Sequence, residues 1–264
     1  MIMKLITSPH EVDTSPVLDS VDYHVVWFGD PIDHVILCIA SLFATQANPK
    51  VTLWTSDTYV SRLQDRLHPI FQRVNFSVKV FRSDIEGVLY PKEPEDKFWT
   101  CDDWRLDIVY THGGIYVDMD TLALKDISWM SRYRGMSRWG LGDRCNSSIT
   151  SFPKGDPELL KLLHIMGAMG DRKGWHRSVP NFEWTLLDID MYCFDNVFFD
   201  CAWSHRGLSW DDFFAVVPGS EDPFIGSFVY HWHNRWDRDV RNPETLVGRY
   251  WKLFVTDRFH RIDD

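Results

Sequence analysis

CDDWRLDIVYTHGGIYVDMDTLAL, residues 101–124, is the stretch whose reading decides the fold. Leu106, Ile108 and Val109 lay down an apolar stripe at helical spacing. His112-Gly113-Gly114 stops that helix, because glycine accepts the left-handed backbone that a helix exit often needs. Ile115-Tyr116-Val117 is a short β-prone run, and Asp118 and Asp120 stand where it ends.

Carboxylates at i and i+2 of an extended segment point to the same side. Two like charges about 4 Å apart repel by roughly 4 kcal/mol at an effective dielectric near 20. A hard divalent cation, Mg²⁺ or Mn²⁺, relieves this well, since it prefers carboxylate oxygen and keeps positions open for phosphate. An isolated Asp-x-Asp is usually a pair of solvated turn residues. Its place at the end of a buried strand, behind a helix that carries Asp102 and Arg105, favours a site instead. Asp102 and Arg105 are three apart and share a helix face. An arginine fork there holds a phosphate or a carboxylate, or else forms a surface ion pair of little worth.

Outward from the motif, Tyr23 to Phe28 (YHVVWF) reads as a buried strand stopped by Gly29-Asp30-Pro31. Asp33 to Gln46 has helical spacing at Val35, Ile36, Ile39, Leu42 and Phe43. Val51 to Trp54 is a second strand, and Asp57 is placed to cap a helix from Thr58 to Leu67. Val74 to Phe81 alternates as a third. This order predicts an α/β fold: one domain over residues 21–264 with a mostly parallel central sheet flanked by helices, after a polar arm over 1–20. Ligands bind such sheets at the carboxyl ends of the strands, which puts Trp27, Phe28, Gly29, Thr55 and Asp57 on the same rim as Asp118. Residues 82–97 read as a loop beside the site. Leu122–Leu124, Met136–Leu141 and Ser148–Phe152 read as strands, and Glu158–Met169 and Tyr250–Arg261 as helices, the last with Trp251, Phe254 and Val255 inward. Trp175 to Asp212 gives no clear assignment.

The 264 residues suffice for one domain with a sizeable core. A net charge of −10 argues against general attraction to nucleic acid or anionic membrane. Basic residues cluster locally at Arg132, Arg134, Arg138 and Arg144, and at Arg172, Lys173 and Arg177. Thirteen tryptophans are many for this length, and indole faces pack on sugar rings as well as in cores. Five scattered cysteines suggest free thiols in a reducing compartment. The start, MIMKLITSPHEVD, lacks a signal-peptide apolar run, and no apolar stretch of about 18 residues is found, so the expected location is cytoplasmic with no transmembrane anchor.

The pattern Cys101-Asp102, Arg105, Gly113-Gly114, Tyr116, Asp118 and Asp120 resembles the core signature of GT-A-fold glycosyltransferases, above all glycosyltransferase family 32. That family includes yeast-type mannosyltransferases, capsular sugar transferases and the catalytic domains of large clostridial toxins. Val26-Trp27-Phe28-Gly29 and Leu53-Trp54-Thr55-Ser56-Asp57 match its first two strand ends, the latter with one extra residue. Pro218, Pro223, His231 and Trp236 match its last segment. The resemblance implies that Asp118 helps hold ribose and metal, that Asp120 ligates the metal, and that Asp102 and Arg105 contact the donor sugar. It gives base stacking to Trp27 or Phe28, with Gly29 in the same turn, and offers His231, or alternatively His233, as a third metal ligand. Arg235 and Arg238 could meet phosphate or lie in solvent. The implied cofactors are Mn²⁺ or Mg²⁺ and a nucleotide-sugar donor, a UDP-sugar ahead of a GDP-sugar. The implied reaction is transfer with retention to a glycan, a protein or another hydroxyl acceptor, a nucleic-acid acceptor ranking lower.

Two other readings compete. IYVDMDTL also satisfies the haloacid-dehalogenase-type phosphatase pattern, in which Asp118 would be the nucleophile, although that motif usually opens its domain. A non-catalytic nucleotide-sugar binder would keep the fold without turnover. A retaining glycosidase needs two carboxyls about 5 Å apart across the sugar, a spacing better used here on a metal. Glu183, Asp188, Asp190 and Asp195 are weak candidates for a catalytic base.

Overall fold

The computed structural model describes residues 3–83, 85, 97–138, 140, 145–168, 189–200, 202, 209, 211–215 and 226–259. Strands β1 (Lys4–Ile6), β2 (Val21–Val26), β3 (Pro49–Thr55), β4 (Phe76–Val80), β5 (Gly114–Val117), β7 (Gly135–Arg138), β8 (Cys145–Phe152) and β9 (Tyr192–Phe194) form one sheet in the order β1-β9-β7-β8-β5-β2-β3-β4. The pairings of β8 with β5 and with β7 are antiparallel; the remaining neighbours run parallel. Strands β6 (Thr121–Ala123) and β10 (Val229–His231) make a separate antiparallel ladder.

Central strands buried on both faces explain the layers. Tyr23 and Val25 of β2, with Ile115 and Val117 of β5, join one core with helices α1 (Asp33–Thr45) and α2 (Val60–Phe71). Val26 and Tyr116 turn the other way and join a second core with α3 (Lys97–His112) and α4 (Pro157–Ala168). The period-two alternation of a strand therefore feeds two apolar layers, each covered by helices.

The expected strands and helices recur within a few residues, with three differences. Asp57 does not cap the next helix. That helix starts at Val60 with Tyr59 as N-cap, and Asp57 instead holds Arg82 at 2.9 Å. Within residues 1–20, Lys4–Ile6 pairs with Tyr192–Phe194 and forms the sheet edge. The last helix starts earlier, at Leu246, and runs through a π turn over Lys252–Thr256 to Phe259. Trp251 is half-buried there, while Phe254 and Val255 are buried. Expectations for Pro218, Pro223, Arg144, Arg172, Lys173 and Arg177 lie outside the described residues, as does most of the 82–97 loop.

The chain path places the site. β2 leads to β3 and β4 on one side, then the chain returns to put β5 on the other side of β2. A parallel sheet opens a crevice at such a reversal, outside the carboxyl ends of the two diverging strands. Trp27 follows β2 and Asp118 follows β5, so the two stand at the carboxyl ends of these neighbouring parallel strands. No helix among the described residues is long and apolar enough to cross a membrane.

Candidate active site

Two glycines let α3 hand over to β5. Gly113 has φ +74 and its N–H donates to Val109 O at 2.7 Å, the left-handed close of a helix. Gly114 has φ +87, and a Cβ there would lie 2.4 Å from the Asp22 carbonyl of β2. The pair thus reverses the chain and lets β5 run hard against β2, which aims Asp118 and Asp120 at the crevice.

Each acid has its own cation. The Tyr116 hydroxyl donates to Asp118 Oδ1 at 2.7 Å, and Arg105 donates to Oδ2 at 3.1 Å. Arg105 also grips Asp102, three residues back on the same helix face, and lies over the Tyr116 ring at 5.5 Å. Asp120 Oδ1 meets His231 Nε2 at 3.1 Å, and the backbone N–H of Asn234 donates to Oδ2 at 2.9 Å. The β6–β10 ladder makes this meeting possible: His231 lies across from Thr121, and Trp232 N–H donates to Asp120 O at 2.9 Å. His233 and Asn234 then take φ values of +47° and +61°, uncommon for residues with side chains. That turn is what points the Asn234 amide at Asp120.

Burial sets the charges. It acts to raise Asp120, but the charge and hydrogen bond of His231 outweigh it and hold the carboxyl down at about 2. Burial acts to lower His231, yet Asp120, with help from Asp200 and Asp118, lifts it to about 9. Burial raises Asp118, against the pull of Arg105 and with the added charge of Asp120. Burial and the neighbouring His231 lower His233.

The residues present fit a divalent cation. Asp118, Asp120 and His231 each offer one ligand atom, and those atoms lie within 4.8 Å of one another. Two carboxylates and an imidazole suit Mn²⁺ at least as well as Mg²⁺. Each carboxylate oxygen has a second lone pair left after its present hydrogen bond.

The other candidate residues divide. Phe28 is buried edge-on against Trp104 at 4.8 Å, with no face left for a ligand. Trp27 is half-buried, and its Nε1–H donates to Asp30 O at 3.1 Å. Trp236 meets it edge-on at 5.2 Å, so the loop after β10 closes against the loop after β2. Gly29, at φ +142, makes the turn beneath them. Thr55 is buried below the rim. In the basic cluster, the described members are paired: Arg132 with Asp13, Arg134 with Asp156 and Asp190, and Arg138 with Asp195. Of the candidate bases, Asp190 thus lies near Arg134, and Asp195 is held by Arg138 and is the N-cap of helix α5 (Asn196–Phe199). Glu183 and Asp188 lie outside the described residues. Arg235 and Arg238 face Asp211 at the surface. Two contributors escaped the sequence reading, the Tyr116 hydroxyl and Asp200. Asp200 lies 2.7 Å from His233 Nε2 and 3.8 Å from His231 Nδ1. Tyr116 shows in its two-residue spacing from Asp118; Asp200 has no local pattern.

Residues 33–136 match the family model described as the glycosyltransferase sugar-binding region containing the DXD motif. An uncharacterized protein of Arabidopsis thaliana is 35% identical over 60 residues, which are 23% of this chain and 9% of that protein. The structure is similar to the glycosyltransferase GlyE of Streptococcus pneumoniae TIGR4, with a TM-score of 0.55 at 13% identity over 92% of this chain and 64% of that one. It is also similar to the bifunctional glycosyltransferase WbbM, with a TM-score of 0.51 at 12% identity over 93% and 53% of the respective chains. The chain thus spans less than two thirds of each of these relatives. The family match is confined to residues 33–136, and the likeness to the solved structures is one of fold, an α/β architecture with a mostly parallel central sheet.

Proposed function

We propose that this protein is a metal-dependent, retaining glycosyltransferase that moves a sugar from a nucleoside diphosphate to a hydroxyl acceptor. One observation carries the reading: Asp118 and Asp120, both within the segment matched to the sugar-binding region, converge with His231 at the sheet reversal. Asp118, Asp120 and His231 would hold Mn²⁺ or Mg²⁺, which when bound supplies positive charge to a leaving diphosphate. Arg105, fixed by Asp102 and Asp118, keeps a buried cation beside the acids and orients the donor sugar together with Asp102. Trp27 offers the stacking face for the nucleobase, since Phe28 is packed away. We take the chemistry to be same-face attack by the acceptor, with no protein nucleophile. We take a UDP-sugar as the donor ahead of a GDP-sugar, and a glycan or protein as the acceptor. Residues 21–264 form the transferase domain, with the short N-terminal strand closing its sheet edge. A cytoplasmic location is supported by Cys38, Cys101, Cys145 and Cys193, all free thiols.

The test is a screen of nucleotide sugars for Mn²⁺-dependent donor hydrolysis and thermal stabilisation, since a bound ligand raises the unfolding midpoint by mass action. Hydrolysis of one donor, abolished by Asp120→Asn and by chelator, is expected. Full turnover in either condition would remove the metal from the mechanism. Donor binding with no turnover across acceptors would indicate a binder, and release of phosphate from an aryl phosphate, lost in Asp118→Asn, a phosphatase.

A further inference from the structure

Taking Asp118, Asp120 and His231 as a divalent-cation seat, we infer that Asp200 is its positioning residue. It faces Nδ1 of His231, fixes the ring's orientation and tautomer, and so commits Nε2 to the ion.

The fold delivers Asp200 with little freedom. Asp195 caps α5 by accepting from Val197 N–H, and Arg138 holds Asp195 at 2.6 Å. Phe198 and Phe199 are buried against Trp129, and Phe228 N–H donates to Phe198 O at 2.8 Å. Asp200 ends that helix, its own N–H bonded to Asn196 O at 2.8 Å. α5 therefore sets the carboxylate beside the end of β10. Oδ2 is 2.7 Å from His233 Nε2 and 3.8 Å from His231 Nδ1. Two polar atoms are left over. His231 Nδ1 and Asp200 Oδ1 are buried and have no hydrogen-bond partner among the described residues. An unmet buried donor or acceptor is costly, so the arrangement is primed for a bond these two residues can make together.

The ion would trigger it. With Nε2 ligating, the one proton of a neutral imidazole must sit on Nδ1, and the acid facing Nδ1 is Asp200. A ring shift of under about 1 Å would bring 3.8 Å to hydrogen-bond length. Metal-bound histidines ordinarily donate their other N–H to a carboxylate or carbonyl, which raises their basicity as ligands.

The same atoms admit a rival, a second cation among Asp200, His231 and His233, whose ligand atoms also lie within 4.8 Å of one another. Ring geometry weighs against it. The two imidazoles stack at 3.9 Å with only 19° between their planes. Their in-plane lone pairs run nearly parallel and do not converge on one point about 2.1 Å from both nitrogens. Stacked rings sharing a carboxylate at one edge fit a hydrogen-bonded support, not a second seat.

Mn²⁺ binding followed by electron paramagnetic resonance, without donor, tests this on the wild type, Asp120→Asn, Asp200→Asn and Asp200→Glu. Expected is a roughly 10–100-fold loss of Mn²⁺ affinity in Asp200→Asn, with part recovered in Asp200→Glu. A merely structural Asp200 would shift the metal-free melting midpoint and leave that affinity alone. Wild type and Asp200→Asn agreeing within twofold, while Asp120→Asn loses the ion, would overturn the inference and leave the cation seat standing. No Mn²⁺ uptake by the wild type would fell the seat itself and the inference with it. A second Mn²⁺ lost only in Asp200→Asn would overturn it in favour of the rival. Should Asp200→Asn fail to fold, ¹⁵N-histidine spectra of the Mg²⁺-loaded wild type decide. A protonated Nδ1 and bare Nε2 on His231 supports the inference, and the reverse tautomer overturns it.

Discussion

Asp120→Asn strips the charge from a buried pair and should expose how much that pair stabilises the metal-free protein. His231 sits at about 9 in place of 6.5, and Asp120 at about 2 in place of 3.8. The contact between the two is common to both shifts and is counted once; Asp200 and Asp118 add to the first, and His233 and the Asn234 N–H to the second. The rise of His231 by about 2.5 units corresponds to about 3 kcal/mol. Its sign follows from proton binding. Between 6.5 and about 9 the folded protein keeps a proton that the unfolded chain has released, so the contribution is full below 6.5 and vanishes as pH climbs through 9. From the acid side, Asp120 contributes above 3.8 and loses that contribution as pH falls through about 2. The variant should therefore lose up to about 3 kcal/mol near pH 6, Asp200 and Asp118 retaining part of the shift, and under about 1 kcal/mol near pH 9. Urea unfolding in chelator at both pH values, on variant and wild type, reads the difference directly. Equal losses at the two pH values would refute the pair as their source.

Substitutions at four other positions probe separate parts of the site and its support. Trp27→Ala should weaken nucleotide binding by about 10–100-fold with little change in unfolding midpoint, as for the loss of one base–aromatic stack. Phe28→Ala should cost about 3–5 kcal/mol of stability in denaturant; reversed outcomes in calorimetry would exchange their roles. Arg105→Ala leaves Asp118 and Asp102 without their shared cation and should destabilise by about 3–5 kcal/mol at neutral pH, measured by urea unfolding. A folded Arg105→Lys should keep part of that stability while losing donor affinity in calorimetry, because the two-pronged grip is gone. Gly114→Ala drives a methyl to 2.4 Å from the Asp22 carbonyl at a positive φ, so the soluble yield should collapse.

The central strands were legible because burial on both faces gives continuous apolar runs, and Gly113-Gly114 marked the handover to β5 unambiguously. The acids and Arg105 followed from their spacing along one helix and one strand end. What escaped depends on partners distant in sequence. Asp57 looks like a cap, but Arg82 from the end of the neighbouring strand captures it. Lys4–Ile6, only three residues long, is too short to show alternation, and is a strand because Tyr192–Phe194 pairs with it. Trp27 and Phe28 are equivalent as letters; only the Trp104 ring beside Phe28 separates them. Asp200 follows two core phenylalanines and becomes part of the site solely through the histidines it meets.

The three-residue ladder between Thr121–Ala123 and Val229–His231 has a consequence for how such a chain can diverge. Because side chains alternate along a strand, a slip of one position would swing the imidazole to the opposite face and offer Tyr230 or Trp232 in its stead. The ladder is therefore a ruler, and its own length is intolerant of insertion. The stretch of roughly one hundred residues that it brackets includes β7, β8, β9 and α5, which are tied to the sheet and the site, but the connections between those elements face no such discipline, since each doubling of a loop costs only about 0.6 kcal/mol in closure entropy. Descendants of this scaffold are free to lengthen, shorten or replace those connections, and so to change what they accept, without retuning the chemistry at the ladder.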